Sequence, residues 1–242
     1  MISEQPRTRG RFPIGMTIAV VISMAIMIGL GVWQIQRMHW KEGVLAHVAA
    51  LKNAPPVPAG PVLAANTDVD FRRVVLDCPG LDAAPFVELF GVREGEAGSR
   101  LISACAVDAG PYRTVLVDRG FVRDSISARP PVDAASRTPV RVTGVLRVPE
   151  TGNWFSPAND PAGRRFYIRD AAEMARVLGA PAPAPVFLLA ETATNPQWQA
   201  LVPAPLPEDI PNNHMQYVLT WFGLAAALAG VYAAVLWRRL KD

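Results

Sequence analysis

The sequence predicts an α+β membrane protein: two transmembrane helices flanking an antiparallel, barrel- or sandwich-like β domain with one or two helices of its own. Three observations carry this. Two stretches without Lys, Arg, Asp or Glu, Pro13 to Gln36 and Pro211 to Trp237, lie near opposite ends of the 242-residue chain. Between them, short apolar runs alternate with Gly and Pro turns, the pattern of strands in a rolled sheet. One segment, from Asp170 to Gly179, reads instead as a capped helix.

Each uncharged stretch exceeds the roughly 20 residues a helix needs to cross a bilayer. Backbone polar groups in lipid must be satisfied internally, so each span is expected as one helix. The expected division is a tail over 1–11, a first span over 12–33 whose helix continues to about 53, a β-rich domain over 54–211, a second span over 215–237 and a tail over 238–242.

Lys and Arg near the span ends set the expected orientation. Arg7, Arg9 and Arg11 precede the first span, and Arg238, Arg239 and Lys241 follow the second. No Lys or Arg occurs from Pro181 to Trp237, and only Arg37 and Lys41 oppose the pattern. The first apolar run is too long for a cleaved signal peptide and lacks an A-x-A-like site. The expectation is a multi-pass protein of a bacterial inner membrane, with both termini cytoplasmic and the central domain periplasmic. The lipid bilayer is an expected partner. A net charge of +3 carries no expectation of nucleic acid.

After the first span no helix breaker occurs until Pro55, Pro56 and Pro58, which begin a stiff linker. Candidate strands then run Phe71–Cys78, Phe86–Gly91, Arg100–Val107, Arg113–Val122, Val140–Val148, Arg165–Ile168 and Val186–Ala190. Gly144 reads as a bulge within its strand. Asp170, with Glu173 three residues on, makes a helix start, and Gly179 a stop. Cys78 and Cys105 both fall in the central domain. Antiparallel neighbours could bridge them in an oxidising compartment; two buried thiols are the alternative. In the second span Ala226, Gly230 and Ala234 form a stripe that lets a helix approach closely, either the first helix or a partner's.

Four colinear segments resemble the surfeit locus protein 1 family, assembly factors of haem–copper cytochrome oxidases. Gly29-Leu30-Gly31-Val32-Trp33-Gln34-Ile35-Gln36-Arg37 through Trp40-Lys41 looks like its G-x-W-Q-x-x-R-x-x-W-K signature. Val115-Leu116-Val117-Asp118-Arg119-Gly120-Phe121-Val122 resembles its central strand. Val140 to Val148, followed by Phe155, Pro157, Asn159 and Asp160, is similar to its G-x-L-R and F-x-P-x-N-D stretch. Pro211-Asn212-Asn213-His214 through Tyr217, Thr220-Trp221-Phe222, Leu224 and Ala225 looks like its C-terminal motif. Two places depart from the pattern: Gly98 to Cys105, and Cys78-Pro79-Gly80. The departures hint at a joint structural role for the two cysteines.

No nucleophile–base pair and no phosphate loop is present, so an enzyme is not expected. His214 is the leading site residue, in the first turn of the second span, with Asn212 or Asn213 as its cap. An imidazole there is placed to offer a nitrogen to a metal. Trp221 lies one heptad deeper on the same face. The first helix runs antiparallel, bringing Trp33, Gln34 and Arg37 to the same surface. The resemblance implies haem a as a transient cofactor, with His214 as axial ligand and Arg37 beside a propionate. A capped helix start with His214 only hydrogen-bonded is the alternative. It also implies oxidase subunit I, and haem A synthase, as partners. Arg119 and Trp154 are the partner-contact candidates; an Asp118–Arg119 ion pair at a sheet edge and a core Trp154 are the plainer readings. A purely structural oxidase chaperone and a general envelope scaffold stay open.

Overall fold

The computed structural model describes residues 12–149, 152, 154–204 and 212–241. The basic tail with Arg7, Arg9 and Arg11, and Glu208, Asp209 and Pro211 before the second span, lie outside them. In chain order the elements are α1 (Ile14–Asn53), β1 (Val57–Pro58), α2 (Ala59–Ala65), β2 (Arg73–Asp77), a 3-10 turn (Leu81–Ala83), β3 (Phe86–Arg93), β4 (Glu96–Ala109), β5 (Tyr112–Arg123), β6 (Arg141–Arg147), β7 (Arg165–Phe166), α3 (Ala171–Leu178), β8 (Pro183–Ala190) and α4 (His214–Lys241). They fall into two compact units, Met1–His47 with Asp209–Asp242, and Val48–Glu208.

The first unit is helical. At 40 residues, α1 is about 60 Å long, twice the hydrocarbon thickness of about 30 Å. Its buried residues, Gly31 and Met38, stand one heptad apart, as do Val218 and Ala225 of α4. This is the spacing of a left-handed helix pair. Gly31 is small because the Phe222 ring lies 2.9 Å from where its Cβ would be. The helices run antiparallel: Thr17 meets Tyr232, Gly31 meets Phe222 and Gln34 meets His214. Thr17 donates to the Pro13 carbonyl, so in its 2.6 Å contact with Tyr232 the phenol donates. Ala226, Gly230 and Ala234 are exposed, so the small-residue stripe does not pack on α1.

The second unit is built on one eight-stranded sheet in the order β1-β2-β6-β8-β5-β4-β3-β7. It is mixed rather than wholly antiparallel: β1–β2, β3–β7 and β5–β8 are parallel pairs. The β5–β8 pairing joins segments some 70 residues apart through β6, β7 and α3, a relation no local pattern reports. Side-chain alternation splits the core. Val115, Val117, Val186, Leu188 and Ala190 face one cluster, with Ala59 and Leu63 of α2. Leu116, Phe187 and Leu189 face another, with Met174 and Ala175 of α3. A strand covered on both faces needs apolar residues at successive positions, hence the run Val115-Leu116-Val117.

Cys78 and Cys105 form a disulfide with Cα atoms 5.5 Å apart. Their strand segments are not neighbours: β6, β8 and β5 stand between β2 and β4. Four strand spacings of about 4.8 Å would separate them by roughly 19 Å in a flat sheet. The sheet is therefore curled around the first cluster, and the bond closes that curl. The neighbouring-strand geometry expected for these cysteines is corrected accordingly.

Two glycines shape the sheet. Gly144 is not a bulge; β6 pairs in regular register with β2 and β8 through it. A Cβ there would stand 2.2 Å from the Leu189 carbonyl oxygen. The bulge lies instead in β5, where register shifts between Arg100 and Ile102 of β4. Gly120 there has φ +132°, and the Val202 oxygen lies 2.4 Å from its missing Cβ.

Candidate functional site

α4 begins at His214, with the Asn213 carbonyl accepting from the Gln216 and Tyr217 amides. Of the two expected caps, Asn212 or Asn213, the first is not formed: Asn212 Oδ1 is buried with no hydrogen-bond partner among the described residues. His214 Nδ1 lies 2.7 Å from Oε1 of Gln34 on α1. A carbonyl oxygen only accepts, so the ring donates from Nδ1 in this contact. A second group that fixes the tautomer and ring orientation is the usual support of a metal-ligating His.

The other sequence candidates lie around this pair. Arg37, one turn beyond Gln34, is exposed and stacks on Trp40 at 3.8 Å from the ring centroid. Trp221 is half-buried two turns along α4 from His214. The structure thus brings Gln34 to His214 directly, and turns Arg37 toward Trp40.

Asp118 and Arg119 stand differently from the sheet-edge ion pair the sequence suggests. Both have 0% exposure, and β5 is a central strand. Their partners differ. Asp118 Oδ2 accepts from Arg100 Nε at 2.5 Å and Arg169 Nη2 at 2.8 Å. Arg119 makes no ion pair among the described residues. It donates to the Asp82 carbonyl at 2.7 Å, the Ala84 carbonyl at 3.3 Å, Thr194 Oγ1 at 3.3 Å and Ser103 Oγ at 3.4 Å. Burial pulls its guanidinium down to about 10, and the Asp82 carboxylate opposes that. Arg119 ties the 3-10 turn, β4 and the loop at Thr194 to the bulge that Gly120 permits. In this conformation neither residue presents atoms at the surface. The sequence carried one signal of this, a charged pair inside a strand apolar on both sides.

Trp154 and Phe155 are 86% and 73% exposed, so a core role for Trp154 is corrected. A polar cavity of about 470 Å³, which the sequence did not foreshadow, is lined by Glu88, Ser99, Asp124, Arg129, Arg165 and Tyr167 among others. Arg129 holds Glu88 through both carboxylate oxygens, at 2.9 and 3.0 Å. Burial alone would raise the Glu88 carboxyl, but hydrogen bonds from Arg129 and Ser99 outweigh it and hold it below its ordinary value.

Two helices long and apolar enough to cross a membrane, one before and one after a curled mixed sheet, define a membrane-anchored protein with a histidine oriented by a glutamine at the head of its helix pair. The chain belongs to the SURF1 family, whose sequence profile matches residues 21–226. It is similar to surfeit locus protein 1 of Homo sapiens, 31% identical over 219 residues, covering 82% of this chain and 70% of the relative. It is also similar to surfeit locus protein 1 of Takifugu rubripes, 29% identical over 235 residues, covering 90% and 95%. The relative from Mus musculus is 31% identical over 230 residues, covering 89% and 74%. Proteins of this family are not enzymes. Among the described residues no group of three or more His, Cys, Asp or Glu is placed to hold a metal ion.

These comparisons correct one expectation. The relatives, including those from fly and choanoflagellate, are eukaryotic, so the bacterial membership and the bacterial inner-membrane and periplasmic placement are overturned. The physical reason is simple. Lys and Arg flanks orient a span in whichever membrane receives it and do not name the organism.

Proposed function

We propose that this chain assists assembly of a haem–copper cytochrome oxidase by holding haem a, or the subunit that receives it, at the head of its helix pair. The observation that carries this reading is the 2.7 Å contact between Gln34 and His214, which joins the first and last of the family-like motifs. One imidazole, oriented through Nδ1, would have its Nε2 available to a haem iron whenever the ring is neutral. When bound, haem would supply an iron open to axial ligation by nitrogen. His214 would hold it, Gln34 would fix the ring, Trp221 would offer an apolar wall and Arg37 a cation for a propionate. Oxidase subunit I and haem A synthase are the proposed partners.

The test has two arms. Purified full-length chain is titrated with haem a and followed by its Soret band, for the parent, His214→Ala and Gln34→Leu. At least a tenfold weaker affinity is expected for His214→Ala, with a smaller loss for Gln34→Leu. Equal affinity for all three would end the ligand assignment. Reduced-minus-oxidised spectra and oxidase turnover of membranes with and without the gene then test the assembly role. Unchanged spectrum and turnover, with no second copy present, would overturn it.

A further inference from the structure

Trp154 and Phe155 are the most exposed large apolar side chains among the described residues, at 86% and 73%. They exceed lipid-facing helix residues such as Leu219 at 68%. Their rings lie together, with centroids 3.7 Å apart. The segment that carries them is held on its C-terminal side. Asn159 Oδ1 accepts from the amides of Tyr167 at 2.9 Å and Ile168 at 3.0 Å, and its Nδ2 donates to Glu173 at 3.0 Å. The aromatic pair thus precedes an anchor at Asn159 that is in place before any contact is made, which lowers the ordering cost of binding.

Three features decide what covers it. The loop is otherwise polar or small in sequence, Gly152-Asn153 before the pair and Ser156-Pro157-Ala158-Asn159 after it. Two rings on a polar tip differ from the broad packed centre of a protein interface. Tryptophan is enriched at membrane interfaces because its ring is apolar with a single polar N–H. The domain is also covalently joined to membrane helices at both ends, so a bilayer is always present at high effective concentration. Arg164, exposed on the turn that follows, and Arg165, exposed at the start of β7, add cations complementary to lipid phosphates.

We propose that the Trp154–Phe155 tip inserts into the headgroup region of the bilayer that holds the chain's own helices. It is a third membrane contact, lying within the sheet domain.

The test uses the full chain labelled with 5-fluorotryptophan in nanodiscs of phosphatidylcholine and phosphatidylglycerol. Trp154→Phe identifies the Trp154 resonance, and its high exposure makes that variant harmless to the fold. With 5-doxyl lipid in the disc, the Trp154 resonance is expected to lose at least half its intensity. It should also be shielded from a soluble gadolinium chelate. Trp198, packed beside Leu101 and Val122, serves as the control that doxyl lipid leaves unchanged. A Trp154 resonance untouched by doxyl lipid and broadened by gadolinium overturns the proposal. So does protection that arises only when purified oxidase subunit I is added, which would make the tip a protein contact.

Discussion

Replacing Arg119 sets two large effects against each other, and the structure decides between them. Burial holds the guanidinium at about 10, well below the ordinary value for arginine. At about 1.4 kcal/mol per unit, the folded chain carries a charge-burial cost of roughly 3 kcal/mol. Against this stand four donated hydrogen bonds. Bonds from a charged donor contribute about 1.5–3 kcal/mol each. Taking about 1.5 for each, because three are long, gives roughly 6 kcal/mol. Arg119→Met removes both effects and should cost about 3 kcal/mol net. Arg119→Lys keeps the charge but lacks the fork that reaches four separated acceptors, and should cost no less. For a domain of this size that is about 6–12 °C in Tm. The assay is thermal unfolding of the full chain in detergent micelles. The sign of the pH effect follows from the lowered value. The penalty on the charged form is constant below about 10 and relaxes only as pH climbs from there toward the ordinary arginine value. The parent–variant difference should therefore be flat between pH 5 and 9. An Arg119→Lys variant within about 2 °C of the parent would refute the argument, because charge alone would then suffice.

Three further outcomes follow from the sheet domain. Cys78→Ser with Cys105→Ser, which opens a loop with sequence separation 27, should cost roughly 3.5 kcal/mol by the loop-entropy relation; equal urea midpoints for variant and parent would show that the curl holds without the bond. Gly120→Ala meets both a φ of +132° and the Val202 oxygen, so it should destabilise by about 3 kcal/mol or more; retention of the parent Tm would refute the close approach. The lowered Glu88 carboxyl adds stability that is present above its ordinary value of 4.5 and is lost as pH falls through its folded value. Arg129→Met should flatten the acid limb of the stability curve below about pH 4.5, and an unchanged limb would mean the clamp does not set that value.

The helices were legible because lipid leaves no choice: an uncharged run of that length must be a helix. Helix α3 was legible from Asp170, whose side chain accepts the Glu173 amide as the sequence suggests. Most strands were visible as apolar runs, but the pairings were not. The segment over β1 and α2 read only as a proline-stiffened linker. Its two strand residues pair with β2 across sequence distance, and Ala59 and Leu63 of α2 are buried by the curl. For the candidate site, Gln34 and His214 were named from separate motifs, and the helix pairing supplied the contact between them. The stacking of Arg37 on Trp40 was set by rotamers and packing, which the motif does not contain.

By itself, then, the sequence determined the two spans, the strand-bearing character of the segment between them and the family. These depend on local composition and on colinear motifs, which the chain carries regardless of how it packs. Tertiary structure alone decided the mixed strand order, the curl closed by Cys78 and Cys105, and the burial of Arg119. Each is a relation between residues distant in sequence. Its free energy arises only once both faces of the sheet are covered, so no window of sequence contains it.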